Sequence, residues 1–444
     1  MRIDPDFIVV GAGTSGAVVA TELADRGARV LLVERGGASP RFRAAGARMS
    51  GIRTEATNTG VKLLSGVGVG GTSELHGGIA LRGFAEDYAR WEHRAESHEW
   101  GTERCLADLD DYLVRRELVR EFRDASDFGA FGQGFIEAGI SSGYPAVERG
   151  FDSLHTLGVG VMPVLQTTGG RHASVASTLR AALTSTSALE TWDHTEATRV
   201  VIRNGTALGV ELSGPRGTTY VRGGAVVLCA GSPGSARLLR RSLPEAQAAN
   251  LGRRAGVIRN HYSRWKVIDG LEESVMPPTN LFGLAAATYE DGLHLRVEAF
   301  AMAVRDRPAL VLSATSYTSN SEIELGEDTD PPILRMRDSQ ALQRAMEIAD
   351  GLLGETSLES LLGSGHRGRP WLKRVRSAHH LHGGAPMGSD PEGATVDADL
   401  RVIGTDRLWV ADLSTVPTLF TNNTHLLALV IGYKAGKALV TEKA

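Results

Sequence analysis

Four consecutive apolar residues, Phe7 to Val10, give way to Gly11-Ala12-Gly13-Thr14-Ser15-Gly16, after which apolar positions recur at helical spacing at Val18, Val19 and Leu23. Val30 to Val33 is a second apolar run, ending in Glu34. The pattern predicts a strand, a turn, a helix and a parallel strand. Ala225 to Ala230 repeats it: a buried-strand run, then a turn beginning at Gly231 and a helix containing Leu238-Leu239. Between these units, Thr198 to Arg203 and Ala207 to Ser213 read as strands joined by Asn204-Gly205, a dipeptide suited to a tight hairpin. Beyond Leu251 the period changes. Tyr262 to Ile268, Asn280 to Tyr289, Leu293 to Arg305 and Ala309 to Leu325 read as successive strands, which predicts a separate, largely antiparallel sheet. Gln340 to Leu353 has the pattern of an amphipathic helix, and another apolar helix runs to Leu439. Leu118 to Asp127 reads as a charged helical stretch. Gly170 to Leu179 opens a helix with hydroxyl residues available for capping, and the basic stretch Gly363 to Arg376 reads as an exposed loop. The fold class is therefore α/β, a Rossmann-like unit joined to an α+β unit on a mainly antiparallel sheet.

The first turn carries the earliest chemistry. In G-x-G-x-x-G, Gly11 permits the tight turn, Gly13 lets the backbone approach a pyrophosphate, and Gly16 allows helix and strand to pack closely. The pyrophosphate belongs on the helix N-terminus, beside Thr14 and Ser15, where unpaired N–H groups and the positive dipole end favour an anion. Glu34 is the acid expected to accept hydrogen bonds from a ribose. Composition narrows the class without redirecting it: among 444 residues, 42% are hydrophobic and 23% charged, as in a globular protein with sizeable cores. With 48 basic against 52 acidic residues the net charge is −4, so no field argues for nucleic acid or a membrane surface as a partner. Two cysteines, Cys105 and Cys229, are too few for a disulfide framework. No apolar run is long enough to span a bilayer, and a binding strand at Phe7 leaves little room for a signal peptide; the expected setting is soluble and cytoplasmic.

A glycine-rich passage follows Glu34, and Gly66 to Gly78 then reads GVGVGGTSELHGG, a run suited to backbone passing close to a flat ligand or a pyrophosphate. Arg82-Gly83, Asp87-Tyr88 and Trp91 follow. This stretch resembles the signature of the glucose-methanol-choline oxidoreductases, FAD-dependent enzymes that oxidise alcohols. The match rests on Gly70, Gly71, Ser73, Arg82, Gly83, Asp87, Tyr88 and Trp91. His76 stands where the family usually has asparagine. The resemblance places His76 and Gly77 beside the flavin, and leaves open whether His76 hydrogen-bonds it or is covalently joined to it. It extends to Ala230-Gly231 and the helix after them as the family's second signature, and it implies a backbone contact from Val200 to the adenine, with Arg35 beside the ribose-binding Glu34. It further implies a discontinuous FAD-binding domain of residues 1–117, 169–255 and 385–444, and a substrate-binding domain of 118–168 and 256–384.

Near the C-terminus, His379-His380-Leu381-His382-Gly383-Gly384-Ala385-Pro386-Met387-Gly388 resembles the family's His-Pro-x-Gly-Thr-x-x-Met-Gly. Anchoring on Met387-Gly388 selects His380 as the active-site histidine. Three histidines in four residues also allow a metal site, but no acidic or cysteine partner has suitable spacing. Leu408 to Ser414 matches the closing pattern of a strand ending in an acid, with Asp412 expected near the ribityl chain. Counted from Ser414 and Pro417, the second catalytic residue falls on Asn423, with Thr424 beside the flavin; alternatively Asn423 caps the helix that follows. The resulting expectation is an oxidoreductase in which His380 accepts the hydroxyl proton of a small alcohol and Asn423 orients the oxygen, with O2 or another electron acceptor left open. The same fold also allows a hydroxynitrile lyase, a photodecarboxylase or a non-catalytic flavin-binding protein.

Overall fold

The computed structural model describes residues 4–37, 51–147, 151, 157–171, 173–249, 251, 256–278, 281–304, 307–318, 321–326, 330–336, 339–363 and 369–441. Much of the glycine-rich passage after Glu34, residue His172, and the centre of the basic loop after Gly363 lie outside these.

In chain order, β1 (Phe7–Val10), α1 (Thr14–Asp25) and β2 (Val30–Val33) form the first unit, with every residue of both strands buried. The chain returns to this sheet at β3 (Leu189–Trp192), adds β4 (Glu196–Arg203) as part of a small antiparallel sheet, and re-enters at β5 (Ala225–Leu228), followed by α2 (Gly231–Ser242). Four long strands, β6 (Tyr262–Asp269), β7 (Leu284–Glu290), β8 (Leu293–Val304) and β9 (Arg307–Ser316), precede helix α3 (Ser339–Leu353). A last sheet strand, β10 (Leu408–Val410), and helix α4 (His425–Thr441) close the chain.

The parallel sheet has the order β10-β5-β1-β2-β3. Its apolar strands are covered on both faces, as parallel sheets require. β6 to β9 sit in a seven-stranded, mainly antiparallel sheet against which α3 packs. The hairpin expected at Asn204-Gly205 forms with positive φ at both residues, 49° and 79°, joining Arg203 to Thr206.

Two expectations are corrected. Leu118–Glu121 is a strand paired with Val164–Thr167, and the charged residues after it form a short 3₁₀ turn at Ala125–Phe128 rather than a helix. Cross-strand pairing overrides helix propensity here, because Leu118 and Arg120 turn inward while Val119 and Glu121 turn out. The helix expected after Gly170 starts at Val175; its N-cap residue Ser174 makes no side-chain cap bond, and the Ser177 hydroxyl donates to the Ser174 carbonyl at 2.6 Å instead.

One packing contact aims the whole site. α4 lies directly on α1, and a Cβ on Gly432 would come within 2.7 Å of the Ser15 carbonyl oxygen, while one on Gly436 would come within 2.5 Å of Glu22 Cβ. Two glycines one turn apart thus let the helices touch backbone to backbone. The Ser15 hydroxyl donates to the Ala428 carbonyl at 2.8 Å across the same seam. As a result the N-termini of α1 and α4 lie side by side at the carboxyl end of β1.

Candidate active site

The cradle forms where β1 and β5 end. Gly11 has φ 101°, and any side chain there would run into the Cys229 carbonyl; a Cβ at Gly16 would overlap the Gly11 carbonyl. Both positions therefore demand glycine. By contrast, a Cβ on Gly13 or on Gly231 would meet no heavy atom within 4 Å, so both turns border open space. The Gly70-Gly71 segment arches over it, both residues at positive φ, with a Cβ at Gly71 only 2.9 Å from Gly13 Cα. Ser73 is buried, its hydroxyl donating to the Gly70 carbonyl at 2.8 Å and fixing that arch. The first-turn N–H groups of α1, at Thr14, Ser15 and Gly16, have no intrahelical acceptors, and no acidic residue lies in the first turn of α1 or α4 to neutralise these positive ends. An anion fits this place.

The two acids expected here face inward to the protein. Glu34 accepts from the backbone N–H groups of Ala12 at 2.9 Å, Gly36 at 2.9 Å and Gly68 at 3.0 Å, tying both glycine segments together. That leaves about one of its four acceptor positions for a ribose hydroxyl. Arg35 next to it is partly buried, and desolvation followed by the charge of Arg53 lowers its pKa. Asp412 is buried and fully engaged: it accepts from Gly231 N at 2.8 Å, from the Ser235 hydroxyl at 2.6 Å, and from Ser414 N and hydroxyl at 2.8 and 2.6 Å. It braces the Ala230-Gly231 turn from behind. Val200 departs from the expected role. It is wholly buried, and its N–H donates to the Ser242 hydroxyl at 2.9 Å, joining β4 to α2. The segment running past the end of β2 is His194-Thr195, whose N–H groups donate to the Gly36 and Glu34 carbonyls at 2.9 Å. No sequence motif singles it out.

At the other end of the cradle, His76 and His425 lie with ring centroids 4.1 Å apart, and His76 Nδ1 accepts from Gly78 N at 2.8 Å. Gly77 packs under Phe282, where a Cβ would come within 2.7 Å of the ring. The three C-terminal histidines diverge. His379 adopts φ 63°, a left-handed conformation rare outside glycine, which turns the next residue inward. Its Nδ1 accepts from Leu64 N at 3.4 Å. His382 is buried and saturated: its Nδ1 donates to the His380 carbonyl at 2.7 Å, and its Nε2 accepts from Phe420 N at 3.1 Å. His380 alone points at Asn423, with Nε2 3.2 Å from Nδ2, while its own N–H donates to the buried Asn260 at 3.0 Å.

Residues 420–423 are clamped from three directions. His382 holds Phe420. Asp87 accepts from Thr421 N at 3.0 Å and from its hydroxyl at 2.8 Å, and is itself paired with Arg90. The Asp87-Tyr88 motif thereby fixes the loop that carries Asn423. The third clamp, Arg296, is absent from any motif. Reaching from β8 and almost entirely buried, it donates to Asn423 Oδ1 at 2.7 Å, Asn422 Oδ1 at 2.8 Å and the Tyr317 hydroxyl at 3.1 Å, with Glu298 at 3.3 Å as counter-charge. Asn423 therefore spends its side chain on Arg296 and His380 and does not cap α4. Thr424 precedes the helix and accepts its first backbone bond, from Ala428 N at 3.0 Å. Burial, and after it the charge of Arg296, pushes the pKa of His380 down to about 3; burial likewise holds His379 and His382 at about 4. All three imidazoles are neutral at ordinary pH.

Comparison with known proteins agrees with this geometry. Residues 5–255 and 323–432 match the N- and C-terminal family models described as GMC oxidoreductase. The chain belongs to the GMC oxidoreductase family. It is 26% identical to pyridoxine 4-oxidase of Microbacterium luteolum over 95% of this chain and 96% of that protein. It is 28% identical to oxygen-dependent choline dehydrogenase of Xanthomonas campestris over 54% of this chain and 49% of that one. In structure it resembles pyridoxine 4-oxidase from Mesorbium loti, with a TM-score of 0.78 at 22% identity, covering 98% and 99% of the two chains; at that identity the likeness establishes the fold. The GMC family is built on FAD, and the open, glycine-lined, anion-seeking cradle fits that cofactor, so the chain is a FAD-dependent oxidoreductase. No helix among the described residues is long and apolar enough to cross a membrane.

Proposed function

We propose that this GMC oxidoreductase oxidises the CH–OH group of a small organic alcohol to a carbonyl, with His380 as proton acceptor and Asn423 as the group that orients the oxygen. The observation that carries the reading is the facing pair His380 Nε2 and Asn423 Nδ2, 3.2 Å apart and both held from behind. An alcohol oxygen that displaces this mutual hydrogen bond would meet one acceptor and one donor, the arrangement needed to draw off its proton while fixing its position. Bound FAD supplies the hydride acceptor. The α1 turn (Gly11, Gly13, Thr14, Ser15, Gly16), the arch (Gly70, Gly71, Ser73), Glu34, Arg35 and Ala230-Gly231 would hold its pyrophosphate and ribose end. His76, Gly77, Thr424 and the N-terminus of α4 would border the flavin ring, where a positive helix end favours developing negative charge. Arg296 orients the Asn423 amide, since a guanidinium can only donate and so keeps Oδ1 facing it.

The division into a FAD domain (1–117, 169–255, 385–444) and a substrate domain (118–168, 256–384) belongs to the same reading: His380 and Arg296 come from the second, Asn423 from the first. Hydroxymethyl compounds head the substrate proposal, because pyridoxine 4-oxidases are similar to this chain over nearly its whole length. Anaerobic mixing of the holoenzyme with a panel including pyridoxine, choline and benzyl alcohol tests it. Bleaching of the flavin by at least one alcohol supports oxidation, whereas a lyase or a passive flavin carrier would leave the colour intact throughout.

A further inference from the structure

Behind His380, on the side away from Asn423, sits a second imidazole that alcohol oxidation does not by itself require. His261 is wholly buried, and its Nδ1 lies 3.0 Å from Nδ1 of His380, the rings meeting edge-on at 70°. Two such nitrogens at this distance share one proton. Which ring owns it is decided from the far end of the chain of contacts. Arg296 donates to Asn423 Oδ1 at 2.7 Å, so the amide turns its N–H toward His380 Nε2 at 3.2 Å. Were Nε2 protonated, two donors would face each other. Nε2 therefore carries the lone pair, the proton of neutral His380 is on Nδ1, and His261 Nδ1 accepts it.

Neither neighbouring ring can take that proton instead. His382 has both nitrogens engaged, with the His380 carbonyl and Phe420 N. Tyr317 lies 6.0 Å from His380, centroid to centroid, and its hydroxyl contacts Arg296 and Glu298. The backbone of His261 is pinned independently, its carbonyl accepting from Ala378 N at 2.8 Å. That bond leaves its side chain to serve the base.

We propose that His261 is the positioning residue of the base: by accepting the Nδ1 proton it holds His380 in the tautomer whose Nε2 lone pair faces the substrate oxygen. The choice of tautomer follows from the hydrogen bond made by the other ring nitrogen. When the substrate O–H bond breaks and an Nε2–H bond forms, His380 becomes an imidazolium whose Nδ1–H is still held by a neutral acceptor. The inference rests on His380 being the base, and the variants separate the two claims.

His261→Phe keeps ring volume but removes the acceptor, and His261→Asn restores an acceptor oxygen near the former Nδ1. Loaded with FAD, His261→Phe is expected to lose between about tenfold and the 10²- to 10⁴-fold attributable to general base catalysis in flavin reduction, with KM little changed. His261→Asn should recover most of that loss, which a purely structural role would not explain. Imidazole ¹⁵N NMR of histidine-labelled wild-type protein should show His380 protonated on Nδ1, and this reading stands even where His261→Phe fails to fold. Wild-type reduction rates in His261→Phe, no recovery in His261→Asn, or an Nε2-protonated His380 in the wild type would each overturn the proposal. If His380→Ala is itself fully active, the assignment of the base fails, and this inference with it. If His380→Ala is inactive while His261→Phe is normal, only the positioning role fails.

Discussion

Arg296 fixes the amide of Asn423 by donating to its Oδ1 at 2.7 Å from a strand, Leu293 to Val304, whose pattern reads as ordinary alternation. Only the tertiary fold brings it to Asn422 and Asn423. Lysine in its place keeps the charge but not the fork that reaches both amides. Arg296→Lys should therefore retain FAD and slow flavin reduction by roughly tenfold, about 1.4 kcal/mol of lost positioning. An unchanged rate would remove Arg296 from the account. The low pKa of His380 has a second consequence at this scale. The groups facing it are Arg296, His261, His379, His382, Tyr317 and Asn423, none of them an acid, so nothing nearby favours its protonation. With a value of about 3, the imidazole is already neutral across the working range, and the rate of flavin reduction should be flat from roughly pH 5 to 8. A rise through a pKa near 6.5 in stopped-flow reduction would mean that this environment is wrongly described.

Among the elements, the βαβ unit and the α4 helix are readable from apolar spacing, while the strand at Leu118–Glu121 reads as helix because its pairing partner lies 43 or more residues away, at Val164–Thr167. The role of Val200 was misassigned for a related reason: a motif gives the strand, and only packing shows which backbone groups are already taken, here by Ser242. The α1 and α4 seam was invisible to any motif, yet it aims two helix N-termini at one place. Gly436→Val would drive a branched side chain into Glu22 and is expected to destabilise the protein by about 1 to 3 kcal/mol, as overpacking does. Because the seam also orients the cradle, the same variant should lose FAD more readily on dialysis. Wild-type melting and wild-type FAD retention together would show that the seam is not tight.

At the scale of the whole molecule, the desolvated histidines couple folding to pH. Unfolded imidazoles titrate near 6.5, whereas folding holds His380 at about 3 and His294, His379 and His382 at about 4. Between these values the unfolded chain binds more protons, so their contribution is complete above the unfolded pKa and is lost as the pH falls. Asp87, raised to about 6 by burial, and Asp397 and Asp412, also raised by burial, act in the opposite sense: their contribution is present at low pH and lost as the pH rises. His261, lowered by burial, adds to the first set, so five histidines stand against three carboxylates. Thermal melts of the apoprotein should fall progressively from about pH 6.5 toward pH 4, and a flat or rising midpoint over that span would contradict the neutral-histidine description.

The central claim, that this GMC oxidoreductase takes a proton from an alcohol with His380, is tested most directly by anaerobic flavin reduction in His380→Ala beside the wild type, using whichever alcohol of the panel bleaches the wild-type flavin. The variant should fold and hold FAD but reduce it 10²- to 10⁴-fold more slowly, with His379→Ala and His382→Ala affected far less. Reduction at the wild-type rate in His380→Ala, or loss of activity in His382→Ala alone, would contradict it and move the base elsewhere.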